Sequence, residues 1–266
     1  MSAETAIDSA AFPGLADAED DGPIPEMMAL LATSLSDAVG PSLETFGVGR
    51  KQKVSPRAGL PIRNEVAAWA GALGLGEFDL YVGGPDDDGV FGVASDPPAL
   101  IVGKSVSAPL TAQHRQAVAR ELYSLRRGTS ILRHRDPTDV AALIVAAGKV
   151  VGVEIPSQKY AMLGEFERQL GKSLPRRVKK PLVQLATRVA DSDFDPIAWY
   201  RAATSSLDRM AAIAAGDVSW VLTESRSNRG RLGASIEAQQ RAARLLAFVL
   251  SPTYLDLRRQ LGMGVR

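Results

Sequence analysis

The chain has 266 residues but no cysteine and only two histidines. Without cysteine it can form no disulfide, no thiolate nucleophile and no sulfur-ligated metal centre. Its 31 basic and 30 acidic residues leave a net charge of +1, so no strong overall field attracts nucleic acid or a membrane surface. No run of about 18 apolar residues occurs, and we therefore expect no membrane insertion. Its glycine-rich stretches lack the GK[ST] ending of a phosphate loop, and we expect no cofactor.

The N-terminal residues 1–25 are acidic, contain three prolines and have few large apolar side chains. This composition predicts a flexible acidic tail. A basic segment followed by an apolar run is missing, which indicates no signal peptide and favours a cytoplasmic protein. Abundant Ala, Arg and Gly are typical of a GC-rich bacterial genome. We predict an N-terminal helix and a basic connector over 26–62, and one domain over 63–266.

Strand and helix patterns follow one another along that domain. Residues 78–84, FDLYVGG, predict a strand, and residues 90–106 predict one or two more, interrupted by Pro97 and Pro98. Helical periodicity predicts a helix over 63–75, capped by Asn64, and further helices over 111–127, 137–150, 157–171, 175–190, 195–215, 217–224, 234–250 and 252–261. The predicted fold class is α+β: mostly helical, with a small sheet near residues 78–106 packed by helices.

The helix over 111–127 carries the most informative pattern. A helical projection gives it an apolar stripe that forms the core face and a polar set on the far side. The stripe contains Val118, Leu122 and Leu125, and the polar set contains Gln116, Tyr123 and Arg127. Arg120, Glu121 and Ser124 share a flank beside the stripe. This is the arrangement in which an HExxH helix presents two histidines and a glutamate to a zinc ion.

The surrounding sequence resembles the HExxH zinc peptidases related to the heat-shock membrane peptidase and the CAAX prenyl protease (gluzincins). The resemblance covers residues 65–225. Arg120, Glu121 and Ser124 stand where that family has His, Glu and His, and the family's following glycine is present. Downstream, SLDRMAAIAAGDVSWVL resembles the helix of the third ligand, with Asp208 at the family's aspartate and Thr204 at its ligand glutamate.

The departures from the family predict a vestigial site without metal. Arginine is permanently charged and a hydroxyl is a poor zinc ligand. Without zinc, Glu121 has no activated water to deprotonate, so we expect no catalysis. We hypothesise that the Arg120 guanidinium partly replaces the ion and pairs with Glu121 or Asp208. The two histidines, His114 and His134, are expected at the surface.

The resemblance also implies a binding mode, because the family's groove takes extended peptide by addition to an edge strand. The candidate peptide-binding residues are Val90, Phe91, Val93, Leu100 and Val102. The preferred reading is therefore a catalytically inactive, zincin-like domain that acts in protein–protein interaction or scaffolding. Two alternatives remain: a residual hydrolase, and a structural subunit of a larger bacterial assembly that docks through its N-terminal segment.

Three further features have simpler interpretations. The acidic run Asp86–Asp88 lacks the alternating spacing of a calcium loop and predicts a solvated hairpin turn. The basic stretch 174–182 predicts an exposed helix face, with an acidic protein as the less favoured interpretation. Trp69, Trp199 and Trp220 are expected in the core or at an interface.

Overall fold

The computed structural model describes residues 14–193, 195–227 and 236–263, apart from the side chains of 225–227. Within these ranges the helices are α1 Pro23–Val39, α2 Pro61–Ala72, α3 Ala112–Arg127, α4 Pro137–Val150, α5 Leu163–Ser173, α6 Arg176–Ala190, α7 Pro196–Ala215, α8 Val218–Ser227, α9 Ala238–Val249 and α10 Pro252–Gln260. The strands are β1 Lys53–Val54, β2 Asp79–Val82, β3 Val90–Val93 and β4 Ala99–Val102. The mostly helical α+β fold predicted from the sequence is confirmed.

The four strands form one mixed sheet in the order β1-β2-β4-β3. β2 and β4 are parallel, whereas β1 and β3 run antiparallel to their neighbours. Leu80, Leu100 and Val102 belong to the main core. Phe91 and Ile101 of the opposite face pack with Phe46 in a small second cluster. In the described part of the chain, β3 therefore lies at one edge of the sheet.

Helix α3 lies at the centre of the fold, in contact with the sheet strand β3 and with α1, α2 and α7. Thr111 caps its first turn by accepting a hydrogen bond from the backbone N–H of His114, and Gly128 ends it in the left-handed conformation. The predicted stripe of Val118, Leu122 and Leu125 is buried. Two residues on the far side of the helix are buried as well, because Tyr123 is fully buried and Gln116 is 4% exposed. Elements packed around α3 cover them.

The chain before α1 is not a free tail in its described part. Leu15 is fully buried. Asp17 pairs with Arg209 of α7 at 2.7 Å, and its backbone N–H donates to Ser206 at 2.9 Å. The buried carboxylate of Asp20 accepts from Trp199 at 3.1 Å. The prediction of a flexible tail over residues 1–25 was thus wrong for its second half, and residues 1–13 lie outside the described residues.

The predicted helices all occur, with their ends shifted by a few residues. The largest difference is α5, which begins at Leu163 where the periodicity predicted residue 157. Asn64 does not cap α2, because Pro61 starts the helix and Asn64 lies within it. None of the helices in the described ranges is long and apolar enough to cross a bilayer.

Candidate functional site

A groove of about 580 Å³ lies between the edge strand β3, the central helix α3 and helix α8. Val90 and Phe91 form the strand wall, and Ala117 and Arg120 belong to the α3 side. Trp220, Thr223 and Glu224 contribute the α8 wall. Trp220, expected in the core or at an interface, is 45% exposed. Of the five residues predicted for the vestigial site, Arg120 alone lines this groove.

Arg120 is held in a nearly buried ion pair with Glu224 of α8. Its Nη2 donates to the two carboxylate oxygens at 2.8 and 3.1 Å. The arginine side chain is 4% exposed and the glutamate side chain 33%. Burial acts to raise the pKa of Glu224, but the charge and hydrogen bond of Arg120, together with the charges of Arg133 and Arg241, hold the pKa below its usual value. Desolvation likewise opposes the charge on Arg120, yet Glu224 raises the pKa of the guanidinium.

Glu121 has both carboxylate oxygens occupied. Oε2 accepts from the backbone N–H of Gly92 in β3 at 3.0 Å. Oε1 forms an ion pair with Arg133, which follows α3 in a short 3₁₀ turn over Ser130–Arg133. The residue is 3% exposed. The helix position that a zinc peptidase uses for its general base therefore carries a neutralised, hydrogen-bonded carboxylate here.

Asp208 of α7 forms a third buried pair, with Arg241 of α9. The guanidinium donates through Nε at 2.6 Å and through Nη2 at 2.7 Å. The charges of Glu121 and Asp208 also act on Arg120, so the three pairs form one electrostatic cluster. This corrects the predicted pairing: Arg120 is buried as the hypothesis required, but its hydrogen-bonded partner is Glu224.

The hydroxyls at the other two vestigial positions are used within the fold. Ser124 Oγ lies 3.2 Å from the hydroxyl of Thr129, and Thr204 donates to the carbonyl of Tyr200 at 2.9 Å. Together with the paired Arg120, they make a poor ligand set for zinc. In the described residues, no three His, Asp or Glu side chains converge in a group that would hold a metal ion. The residues present do not fit the zinc site of the resembled family.

The edge of β3 has an open and a covered part. The backbone C=O of Gly89 accepts a hydrogen bond from the N–H of Gly103. Hydrogen-bonded residues alternate along an antiparallel strand, so the backbone groups of Phe91 and Val93 also point to β4. The backbone groups of Val90 and Gly92 therefore point outward, away from β4. Glu121 covers the N–H of Gly92. Within the described residues, the outward N–H and C=O of Val90 have no backbone partner. We call these two unpaired groups of Val90, a residue that lines the groove and is 5% exposed, the open edge.

The predicted peptide-binding set is corrected by this geometry. Leu100 and Val102 lie on β4, which is paired on both sides and fully buried, so their backbone groups offer no edge. Val93 is buried and does not line the groove. Val90 and Phe91 remain as the groove-lining members of the set. The Phe91 ring packs against Phe46 in a tilted arrangement, with 5.0 Å between the ring centroids.

Sequence reasoning also missed residues that shape the groove. It assigned no role to Arg133 or Glu224, although both bind vestigial residues. Glu224 lies 104 residues from Arg120, and no spacing rule links such distant positions. It expected His114 at the surface, but this residue is 9% exposed and its Nε2 lies 3.7 Å from Asp88.

Comparisons with models of protein families, with curated proteins and with solved structures gave no significant match.

Proposed function

We propose that this protein is a catalytically inactive, peptidase-like domain whose groove binds an extended segment of a protein partner. The observation that carries the proposal is the open backbone edge at Val90 in the wall of a groove of about 580 Å³. An extended segment laid along β3 would pair with this edge, and strand addition supplies main-chain hydrogen bonds without any metal.

The proposed lack of catalysis rests on the state of Glu121. A general base must have an oxygen available for the proton it removes. The two oxygens of Glu121 bind Gly92 and Arg133. The alternative of a residual hydrolase would need this carboxylate, which is 3% exposed, to give up at least one of these partners, and it has less support.

The alternative of an assembly subunit that docks through its N-terminal segment also has less support. Helix α1 buries Met27, Leu31 and Leu35 within this chain. It packs against α5, α6 and α3, so its apolar face is already covered. Docking through α1 would require that face to be uncovered at the cost of the core.

The proposal is tested by selection from a library of random peptides, with a blocked groove as the comparison. Ala117 is partly exposed and lines the groove with Val90, so Ala117→Trp would place a large side chain in the groove. Ala243→Trp places the same side chain on an exposed position of α9 outside the groove. Peptides retained by the wild type and Ala243→Trp, but not by folded Ala117→Trp, would support the proposal. Equal retention by all three proteins would contradict it.

The proposed inactivity has a separate test. Mass spectrometry measures the zinc content of the purified protein, and quenched fluorescent peptides measure its peptidase turnover. We expect substoichiometric zinc and no turnover above that of a Glu121→Gln variant. One zinc per chain, or turnover lost in that variant, would overturn it.

A further inference from the structure

Three polar residues of α3 line the groove, and we call them the polar row: His114, Gln116 and Arg120. As residues they are 9%, 4% and 4% exposed. Within the described residues, four of their atoms lack a hydrogen-bond partner: His114 Nδ1, Gln116 Oε1, and Nε and Nη1 of Arg120. Buried polar atoms left unpaired destabilise a fold, so these four atoms call for hydrogen-bond partners that the described residues do not supply.

The row offers both donors and acceptors. The two nitrogens of Arg120 donate, the amide oxygen of Gln116 accepts, and a neutral imidazole can do either at Nδ1. A polypeptide backbone presents C=O and N–H groups in alternation and satisfies both kinds of partner. Opposite the row, Val90 supplies a backbone N–H and C=O of its own, so one extended segment would have partners on two sides.

The charges around the groove decide which segments fit. Arg120 is paired with Glu224, and Arg133 with Glu121, so neither arginine adds an uncompensated positive charge. Asp86 and Asp88 also line the groove and are exposed. In the described part of the chain, no lysine or arginine forms an ion pair with either aspartate. The charge that the groove presents to a ligand is therefore negative.

Trp220 adds an aromatic surface to the same opening. It lines the groove and is 45% exposed, although large aromatic side chains are usually buried. The face of an indole ring attracts a lysine or arginine side chain. Two exposed carboxylates and an exposed indole in one groove therefore favour a basic ligand and oppose an acidic one.

We propose that the groove takes a basic, extended segment of a partner protein, with its backbone bonded to the polar row and to Val90 and its Lys or Arg side chains beside Asp86, Asp88 and Trp220. The inference rests on the proposed function and adds the chemistry of the partner. A partner segment rich in Asp or Glu is disfavoured, because like charges across an interface suppress binding.

The charge of the selected peptides tests this inference apart from the proposed function. Among peptides that depend on an unblocked groove, we expect enrichment of Lys and Arg over Asp and Glu relative to the starting library. Groove-dependent peptides that are neutral on average or acidic would overturn the inference and leave the proposed function standing. If no peptide depends on the groove, both the proposed function and this inference fail.

A pair of double variants provides the second test. Asp86→Asn with Asp88→Asn removes two exposed charges from the groove, and Asp191→Asn with Asp193→Asn removes two equally spaced exposed charges that do not line it. The probe is a basic peptide from the selection. The neutral control is the same peptide with glutamine in place of lysine. We expect the groove variant to bind the basic peptide about fivefold more weakly than the wild type at low salt, and the control to bind it equally. Equal affinity of the groove variant and the control would overturn the assignment to Asp86 and Asp88.

Discussion

The carboxylate of Glu121 in α3 accepts a hydrogen bond from the backbone N–H of Gly92 in β3 at 3.0 Å. This contact joins the central helix to the edge strand and closes the strand edge at one residue. It also brings helix and strand so close that residue 92 has little room for a side chain. The open edge at Val90 and the occupied state of Glu121 are two consequences of the same packing.

Gly92→Ala should therefore be costly. A Cβ at this position would lie 3.1 Å from Oε2 of Glu121 and 3.1 Å from Cγ of Leu125. Arg133 holds the carboxylate and Leu125 is buried, so neither group can easily move. We expect the free energy of unfolding in urea to fall by about 1–3 kcal/mol. Gly76→Ala, where a Cβ would meet nothing within 4 Å, should change it by less than about 0.5 kcal/mol. Equal stability of the two variants would contradict the close packing.

The two members of the Arg120–Glu224 pair should respond unequally to substitution. Glu224→Gln leaves a nearly buried guanidinium without its main counterion, and we expect a loss of about 3 kcal/mol. Arg120→Met leaves a carboxylate that is one-third exposed to water, and we expect a loss of about 1–2 kcal/mol. The double variant should be more stable than Glu224→Gln alone, because its buried charge is gone. Urea unfolding of the wild type, the two single variants and the double variant at neutral pH checks this order. A larger loss of unfolding free energy in Arg120→Met than in Glu224→Gln would contradict it.

Tyr123 should make the free energy of unfolding fall as the pH rises in the alkaline range. Its burial raises the pKa of the phenol from 10.0 to about 12. Between these values the unfolded chain has released the proton and the folded chain retains it, so stability falls as pH rises. The full effect corresponds to about 2–3 kcal/mol. Tyr123→Phe lacks this contribution, and its unfolding free energy should therefore decline less than that of the wild type as pH rises above 10. Parallel declines in urea titrations would show that the phenol ionises without penalty.

Residues 14–22, which precede α1, pack against the rest of the protein, so a substitution there should strongly lower its stability. Leu15 is fully buried, and Leu15→Ala should lower the unfolding free energy by about 2–4 kcal/mol. Leu255→Ala removes the same atoms from a side chain that is 45% exposed and should cost less than about 1 kcal/mol. Similar small losses in both variants would show that residues 14–22 contribute little to stability, as expected of a flexible tail.

The sequence predicted the helices well because their signals are local. Asp195 and Ser251, for example, each precede a proline and cap α7 and α10. It also located β2, β3 and β4 and the break at Pro97, but it missed β1, which lies in the predicted basic connector. Helix periodicity did not predict the burial of Tyr123 and Gln116 on the far side of α3, because other elements pack around this helix. Tyr123 and Gln116 are buried there despite their polar atoms.

The candidate site was less predictable. The flank of Arg120, Glu121 and Ser124 was read from spacing, but their partners come from distant parts of the chain. Composition likewise gave no sign that residues near Leu15 dock on α7, because tertiary contacts decide that. The resemblance to the zinc peptidases stays a prediction.

Hydrogen exchange at the backbone N–H of Val90, followed by NMR, tests the central claim most directly. This group points outward from the open edge of β3. Addition of a groove-dependent peptide should slow its exchange, because strand pairing gives it an acceptor, and the effect should be absent in Ala117→Trp. A peptide that binds the wild type without slowing exchange at Val90 would contradict strand addition at this edge.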